Sequence, residues 1–285
     1  MGWQRTNSML RFSTLRARFV RSSAAVKSPL LNLGCGGRHH AQWTNADLVP
    51  SGPDVLAVDL RRPLPFADAS FSAVYAAHVV EHLEPAEADA LLREAARVLV
   101  PGGIVRIVVP DLEGIARAYL ASLDAVADGD GEARWWHRWM TVELLDQLVR
   151  NQSGGIMRRW WSCDPVPCRD LIETRLGAEA TSAIASLSAE RIRTGAAAVD
   201  PAAVLLGEPV GPRKAAKFAA RGERHRWMYD RVSLADLLRD AGFSEPRVVE
   251  ASDSAIPGYA RYELDANADG RPHKPDSLFM EGVRR

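Results

Sequence analysis

The chain has 285 residues, 47% hydrophobic and 25% charged, which is ordinary globular composition and enough for a full core. Its 36 basic and 36 acidic residues cancel, so global charge gives no argument for a nucleic acid or an anionic membrane as partner. Cys35, Cys163 and Cys168 do not make a disulfide framework and no apolar run approaches the roughly 18 residues of a membrane span, so a reducing cytoplasm is the expected setting.

Residues 1–28 stand apart. They hold Arg5, Arg11, Arg16, Arg18, Arg21 and Lys27 without a single acid, and Met9, Leu10, Phe12, Leu15, Phe19 and Val20 recur near helical spacing. Arginines interrupt the apolar positions, which argues against a secretory signal. The segment reads as a surface helix or tail, or as a helix that touches an anionic partner or a membrane face through residues 5–27.

From residue 29 to 111, strands, turns and helices alternate, the pattern of a parallel α/β sheet. Strands are expected over 30–33, 43–48, 55–60, 71–77 and 104–109. A helix is expected over 87–100, with Ala88, Leu91, Leu92, Ala95, Ala96 and Leu99 on one face and Pro101-Gly102-Gly103 as its stop. Only six residues lie between Gly36 and Trp43, and six between Leu48 and Val55, fewer than the dozen a helical crossover needs. The first crossovers are therefore expected to be loops. Residues 112–224 read as a helical insertion, with helices over 115–127, 135–150 and 169–187 and a linker over 195–211. The alternation returns with a helix over 233–241, capped by Ser233, and strands over 246–251 and 277–283.

The first strand ends on Gly34-Cys35-Gly36-Gly37, and the next two end on Asp47 and Asp59. A side-chain-poor turn and two carboxylates thus share the sheet edge where open α/β folds bind ligands. Glycine lets backbone N–H groups approach a ligand, and a carboxylate suits a cis-diol because it only accepts hydrogen bonds. The competing reading is a plain turn with two capping acids.

LNLGCGG, NADL, AVDLRRPLPFADASFSAVYAAHVVEHL and REAARVLVPGGIVRIVVPDL, with HRWMYDRVSLADLLRDAGF and HKPDSLFMEGVR near the end, resemble the class I S-adenosylmethionine-dependent methyltransferases. The likeness is strongest to the bacterial branch of small, type 11-like methyltransferases found beside sugar and cell-envelope genes. It covers residues 30–111 and 225–285. It implies a doubly wound, mostly parallel, Rossmann-like sheet of seven strands, the last antiparallel and inserted beside the fifth. It implies S-adenosylmethionine as cofactor, with Gly34, Cys35 and Gly36 under its methionine part. Asp47 and Leu48 would lie at the ribose, Asp59 and Leu60 at the adenine, and Ala77 and His78 near the sulfonium. The chain departs from the common pattern in lacking a third glycine at the turn and a long first helix.

Other motifs compete for attention. His78-Val79-Val80-Glu81-His82 matches H-x-x-E-H, but zinc chemistry needs both histidines on one helical face and a third ligand. No metal is expected; Glu81 or His82 would fix a loop, and His78 would be a general base or merely pack. Cys163 and Cys168 read as ordinary thiols, and the recurrence of His-Arg-Trp-Met at 137–140 and 225–228 is too short to be a repeat. Five of the eight tryptophans fall between 135 and 161, as core or as a platform for sugar rings, and Arg158, Arg159 and Arg169 could meet phosphate groups. The expected activity is O-methylation of a sugar, glycan or related small-molecule acceptor, without nucleic acid. The alternatives are a non-catalytic binding protein on the same fold, and a dinucleotide enzyme, which the missing G-x-G-x-x-G disfavours.

Overall fold

The computed structural model describes residues 28–207, 209–219 and 222–285; the basic segment up to residue 27 lies outside them. The strands are β1 (Leu30–Leu33), β2 (Thr44–Asp47), β3 (Val55–Ala57), β4 (Phe71–Ala77), β5 (Leu99–Pro110), β6 (Phe243–Val249) and β7 (Ser277–Arg284). They form one seven-stranded sheet in the order β3-β2-β1-β4-β5-β7-β6. The first five run parallel, and β7 lies antiparallel between β5 and β6. This is the Rossmann-like architecture expected of the chain. Pairing of Leu33 with both Ala46 and Ala76 aligns the carboxyl ends of β1, β2 and β4.

Between β1 and β4 the described residues contain no helix, so the first three crossovers are loops, as their lengths dictate. Helix α1 (Pro85–Val98) makes the fourth. It opens on a capping box between Glu84 and Glu87 and buries Ala88, Leu91, Leu92 and Ala95. It ends two residues earlier than its periodicity suggests, because Leu99 already pairs with Phe71 at the start of β5. Pro101-Gly102-Gly103 is therefore not the helix cap. It forms a bulge within the strand, between the pairs Phe71–Leu99 and Ala73–Ile104.

The insertion comprises α2 (Leu112–Ala127), α3 (Ala133–Val149), α4 (Gly155–Trp161), α5 (Arg169–Leu176), α6 (Ala178–Thr194) and α7 (Pro212–Ala219). The single helix expected over 169–187 is two, broken at Gly177. That residue has φ +67°, and a Cβ there would lie 2.7 Å from the His273 carbonyl oxygen. The stretch expected to be linker holds a 3-10 turn, Pro201–Leu206, that buries Val204. Helix α8 (Arg231–Asp240) is capped by Asp230, and Ser233 completes the capping box three residues in. None of these helices is long and apolar enough to cross a membrane.

Strand alternation divides the buried side chains between two faces. On one face Val74, Ala76, Leu31 and Leu33 pack against α1 and α8. On the other, Ala73, Tyr75, Val108 and Phe279 meet Trp43, Ile256, Tyr259, Tyr262 and Leu264. Loop residues rich in aromatics thus cover the face that crossover helices would otherwise fill. The insertion has its own apolar cluster around Trp139, Met140, Trp160 and Ile172.

Candidate active site

The site grows from the end of β1. Gly34 turns with φ +65° and Gly36 with φ +51°, a region that L side chains enter at a cost. The Gly34 and Cys35 amides both donate to the Ala46 carbonyl oxygen, at 2.8 and 3.2 Å, which ties the turn to β2. The Gly36 amide donates to Asp47 Oδ2 at 2.8 Å, and the Val49 amide to Asp47 Oδ1 at 2.9 Å. Asp47 thus props the turn while each of its oxygens keeps further acceptor capacity. The Cys35 thiol is pushed up to about 11, chiefly by burial and secondarily by the Asp47 charge, so it stays protonated at neutral pH. A Cβ at Gly34 would stand 2.3 Å from Val79 Cγ2, whereas around Gly36 and Gly37 there is nothing within 4 Å. Gly34→Ala is therefore expected to lower stability by about 1–3 kcal/mol, through overpacking and positive-φ strain, as a urea titration would show. Gly37→Ala should change stability by less than about 0.5 kcal/mol.

The turn opens onto a cavity of about 280 Å³. Gly34, Cys35, Gly36 and Gly37 form one wall, and Tyr75, Ala77, Val108 and Phe279 the floor. Arg38, Glu179, His273 and Lys274 supply polar groups, and Lys274 Nζ pairs with Glu179 Oε2 at 2.9 Å. Beneath them Asp265 accepts from Tyr75 Oη at 2.5 Å and from Tyr259 Oη at 2.6 Å.

His78 stands at the end of β4 with φ +53°, an unusual backbone for a non-glycine residue and a common one at functional positions. Its Nδ1 lies 3.2 Å from Glu81 Oε1 and its Nε2 3.2 Å from Ser277 Oγ. The chain then enters a 3-10 turn, Val80–His82, so His78 and His82 share no helical face. The Glu81 carbonyl oxygen accepts from the Arg226 and Trp227 amides, at 2.7 and 3.2 Å, which brings His225 against this turn. The rings of His82 and His225 meet edge to face at 4.8 Å. Burial opposes the charge of Glu81, but the His78 hydrogen bond and the surrounding imidazoles outweigh it and hold the carboxyl below its ordinary range. Burial strips water from His225 and lowers it below the ordinary histidine range, so this ring is neutral at pH 7.

A second cavity, of about 380 Å³, lies on the insertion side. It shares His78, Glu179 and Lys274 with the first, and adds Gln147, Arg150, Ser153, Trp161 and Glu223 from the insertion, with the Glu81, His82 and His225 group. Burial pushes Asp276 in its wall up to about 6. Trp139 and Trp160 are fully buried and belong to the insertion core, whereas Trp161 borders this cavity. Arg158 and Arg169, read as phosphate contacts, pair with Glu190 at 3.6 Å and Glu173 at 2.8 Å, and neither lines either cavity.

Of the residues singled out in the sequence, the fold gathers Gly34, Cys35, Gly36, Ala77 and His78 around the first cavity. Asp47 and Asp59 stand outside its lining; Asp59 is engaged by Arg61 Nε at 2.9 Å and Nη2 at 3.1 Å. Leu48 is half exposed, and the Leu60 side chain is buried in the sheet core rather than at the cavity. Sequence reasoning misses Arg38, Glu179, Asp265, His273 and Lys274. Only Arg38 carries a local signal, one residue past the glycine turn.

S-adenosylmethionine fits what is here: open space beside Gly36 and Gly37, a floor of apolar and aromatic side chains, and a carboxylate with spare lone pairs beside the turn. A family model described as a methyltransferase domain matches residues 38–107. Among curated proteins no sequence relative is found. Among solved structures the chain is similar to a Thermotoga maritima S-adenosylmethionine-dependent methyltransferase described as a possible histamine N-methyltransferase. Identity there is 14%, over 90% of this chain and 82% of that one, with a TM-score of 0.41. It is also similar to an S-adenosylmethionine-dependent methyltransferase from Mesorhizobium loti, at 16% identity over 92% of each chain, TM-score 0.35. A third is PigF, solved with S-adenosylhomocysteine, at 10% identity over 91% of this chain and 51% of that one, TM-score 0.36. Residues 38–107 are thus similar to a methyltransferase domain and lie on a seven-stranded, mostly parallel Rossmann-like sheet, which together support a methyltransferase enzyme that uses S-adenosylmethionine.

Proposed function

We propose that this enzyme O-methylates a hydroxyl of a sugar, glycan or related small molecule, and that residues 112–224 form the acceptor-binding part, set on a core of 29–111 and 225–285. The bound cofactor supplies an electrophilic methyl group on sulfur. Gly34, Cys35 and Gly36 would hold its methionine part, and Asp47, beside the exposed Leu48, its ribose hydroxyls. Asp59 and the Leu60 backbone would flank the adenine. Arg38 and Glu179 bring opposite charges to the same cavity, suited to an amino-acid carboxylate and ammonium.

The observation that carries this reading is the second cavity. It meets the first at His78, the residue at the end of β4 where the two open side by side. Its wall offers amide, hydroxyl, guanidinium and carboxylate groups with the edge of Trp161, a mixture that suits a polyhydroxylated acceptor. His78 stands between the two cavities, oriented by Glu81 through Nδ1, and is placed to take the proton from the acceptor hydroxyl. A bacterial, cytoplasmic role in envelope-glycan modification follows from the motif resemblance.

Purified enzyme with methyl-labelled cofactor and fractionated envelope glycans tests the proposal. Label is expected in a base-stable ether on a carbohydrate fraction. Label confined to protein, or to nitrogen acceptors, would refute the acceptor class. In the same experiment Asp47→Ala should weaken S-adenosylhomocysteine binding at least tenfold by isothermal titration, because both the ribose contact and the prop under the Gly36 amide are lost.

A further inference from the structure

The group formed by Glu81, His82 and His225 is more than scaffolding. One ring nitrogen of each histidine and one carboxylate oxygen of Glu81 all lie within 4.8 Å of one another. Glu81 has no exposed surface and His225 only 4%. Yet Glu81 Oε2, His82 Nδ1 and His225 Nδ1 are shielded from solvent and find no hydrogen-bond partner among the described residues. Buried polar atoms in native proteins are nearly always satisfied, and three orphans in one cluster demand a common explanation. An apolar filler would leave all three unmet; a bridging water or a cation would satisfy them, and two imidazoles with a carboxylate are the donor set of a cation site.

We propose that Glu81, His82 and His225 bind a first-row divalent transition-metal cation at the wall of the second cavity. Two imidazoles and one carboxylate are a donor set for zinc, manganese, iron or cobalt; magnesium and calcium prefer oxygen throughout. Three protein ligands leave coordination positions open, as catalytic rather than structural sites do. All three residues line the second cavity, so an open position faces the acceptor. Outer support is present too. His78 holds Glu81 Oε1 at 3.2 Å, leaving Oε2 for the ion. The backbone bonds from Arg226 and Trp227 to Glu81 fix the approach of His225. The metal's role, to seat an acceptor oxygen beside His78, rests on the reading of the second cavity as the acceptor site; its binding does not.

Chelator-treated, dialysed full-length enzyme titrated with Co²⁺ and Zn²⁺ tests this. One equivalent of Co²⁺ is expected to bind with visible ligand-field bands, to be displaced by Zn²⁺, and to be out-competed poorly by Mg²⁺. Glu81→Gln and His225→Gln should each weaken Co²⁺ binding at least tenfold and abolish the thermal stabilisation that Zn²⁺ gives the wild type. His82→Gln, at a more exposed position, repeats the test where refolding is least at risk. S-adenosylhomocysteine binding is measured on each sample without metal and should be unchanged. A protein that binds S-adenosylhomocysteine but takes up no Co²⁺ or Zn²⁺ overturns the metal site and leaves the methyltransferase reading intact. Equal Co²⁺ affinity in wild type and all three variants overturns it as well.

Discussion

Arg106→Ala is expected to cost about 3–5 kcal/mol of unfolding free energy, a larger loss than at the glycine turn. Arg106 sits on β5 with no exposed surface. Its Nε donates to Asp265 Oδ2 at 2.7 Å and its Nη1 to Glu281 Oε1 at 3.0 Å. The remaining donors reach the carbonyl oxygens of Asp253, Glu250 and Ala251, at 2.7, 3.0 and 3.1 Å. The guanidinium also lies over the Tyr259 ring, 4.5 Å from its centre. This one side chain therefore joins β5, β7 and the loop that covers the second face of the sheet. Removing it strands Asp265, nearly inaccessible to water, as a buried charge with only the Tyr75 and Tyr259 hydroxyls for partners, while Glu281 loses one of its two cations and keeps Arg247 at 3.1 Å. Urea titration should show a lower midpoint with an unchanged slope. The triple variant Arg106→Met, Asp265→Asn, Glu281→Gln should recover part of the loss, because no buried charge is left and the Arg247 guanidinium it frees is half exposed to water. An equal loss in single and triple variants would show that packing of the arginine stem, not the stranded charge, sets the cost. Since Asp265 also lines the first cavity, cofactor affinity should fall with stability in Arg106→Ala.

The contrast between Arg106 and the glycine turn shows what sequence can and cannot reveal. Strand β4 is legible to the residue, and β1 likewise, because both runs are too short for a helix and are bounded by turn residues. The turn at Gly34 follows from an apolar strand stopping on glycines, and the loop crossovers from simple length. Arg106, by contrast, stands in an apolar strand, where nothing local announces that Asp265 and Glu281 will arrive from far along the chain. The end of α1 at Val98 escapes its periodicity because tertiary pairing of Leu99 overrides the helical pattern. Gly177 breaks a helix whose apolar spacing runs straight through it. The same limit hides the cavity walls. Glu179 lies on an expected helix whose register says nothing of what it faces, and His273 and Lys274 come from a loop before β7. His225 lies in a His-Arg-Trp-Met string identical to one at 137–140, and only in the later copy does that string bond to Glu81. Local order is written in neighbours; a site assembled from distant loops is not.

His78→Asn should lower kcat by about 10²–10⁴ while S-adenosylhomocysteine affinity stays within about threefold. Asparagine is the informative replacement because it tolerates the left-handed backbone that His78 adopts at φ +53°, whereas alanine would add strain to the loss of the ring. The bond from the His78 amide to the Val108 carbonyl oxygen, 2.9 Å, is kept in either case. What is lost is a ring with one nitrogen held by Glu81 and the other directed at Ser277 Oγ, between the two cavities. A base that acts only in the chemical step moves kcat and leaves KM and cofactor binding nearly alone. A residue that merely shapes the end of β4 would do the reverse: Asn would disturb the turn under Val79, loosen the contact with Gly34, and weaken the cofactor together with the fold. Ser277→Ala separates the two further. It removes one bond to the ring without touching the backbone, and should cost far less in kcat than His78→Asn if the imidazole itself carries the proton. Equal losses in the two variants would mean instead that the pair works as a structural clasp joining β4 to β7, and that the acceptor proton leaves by another route.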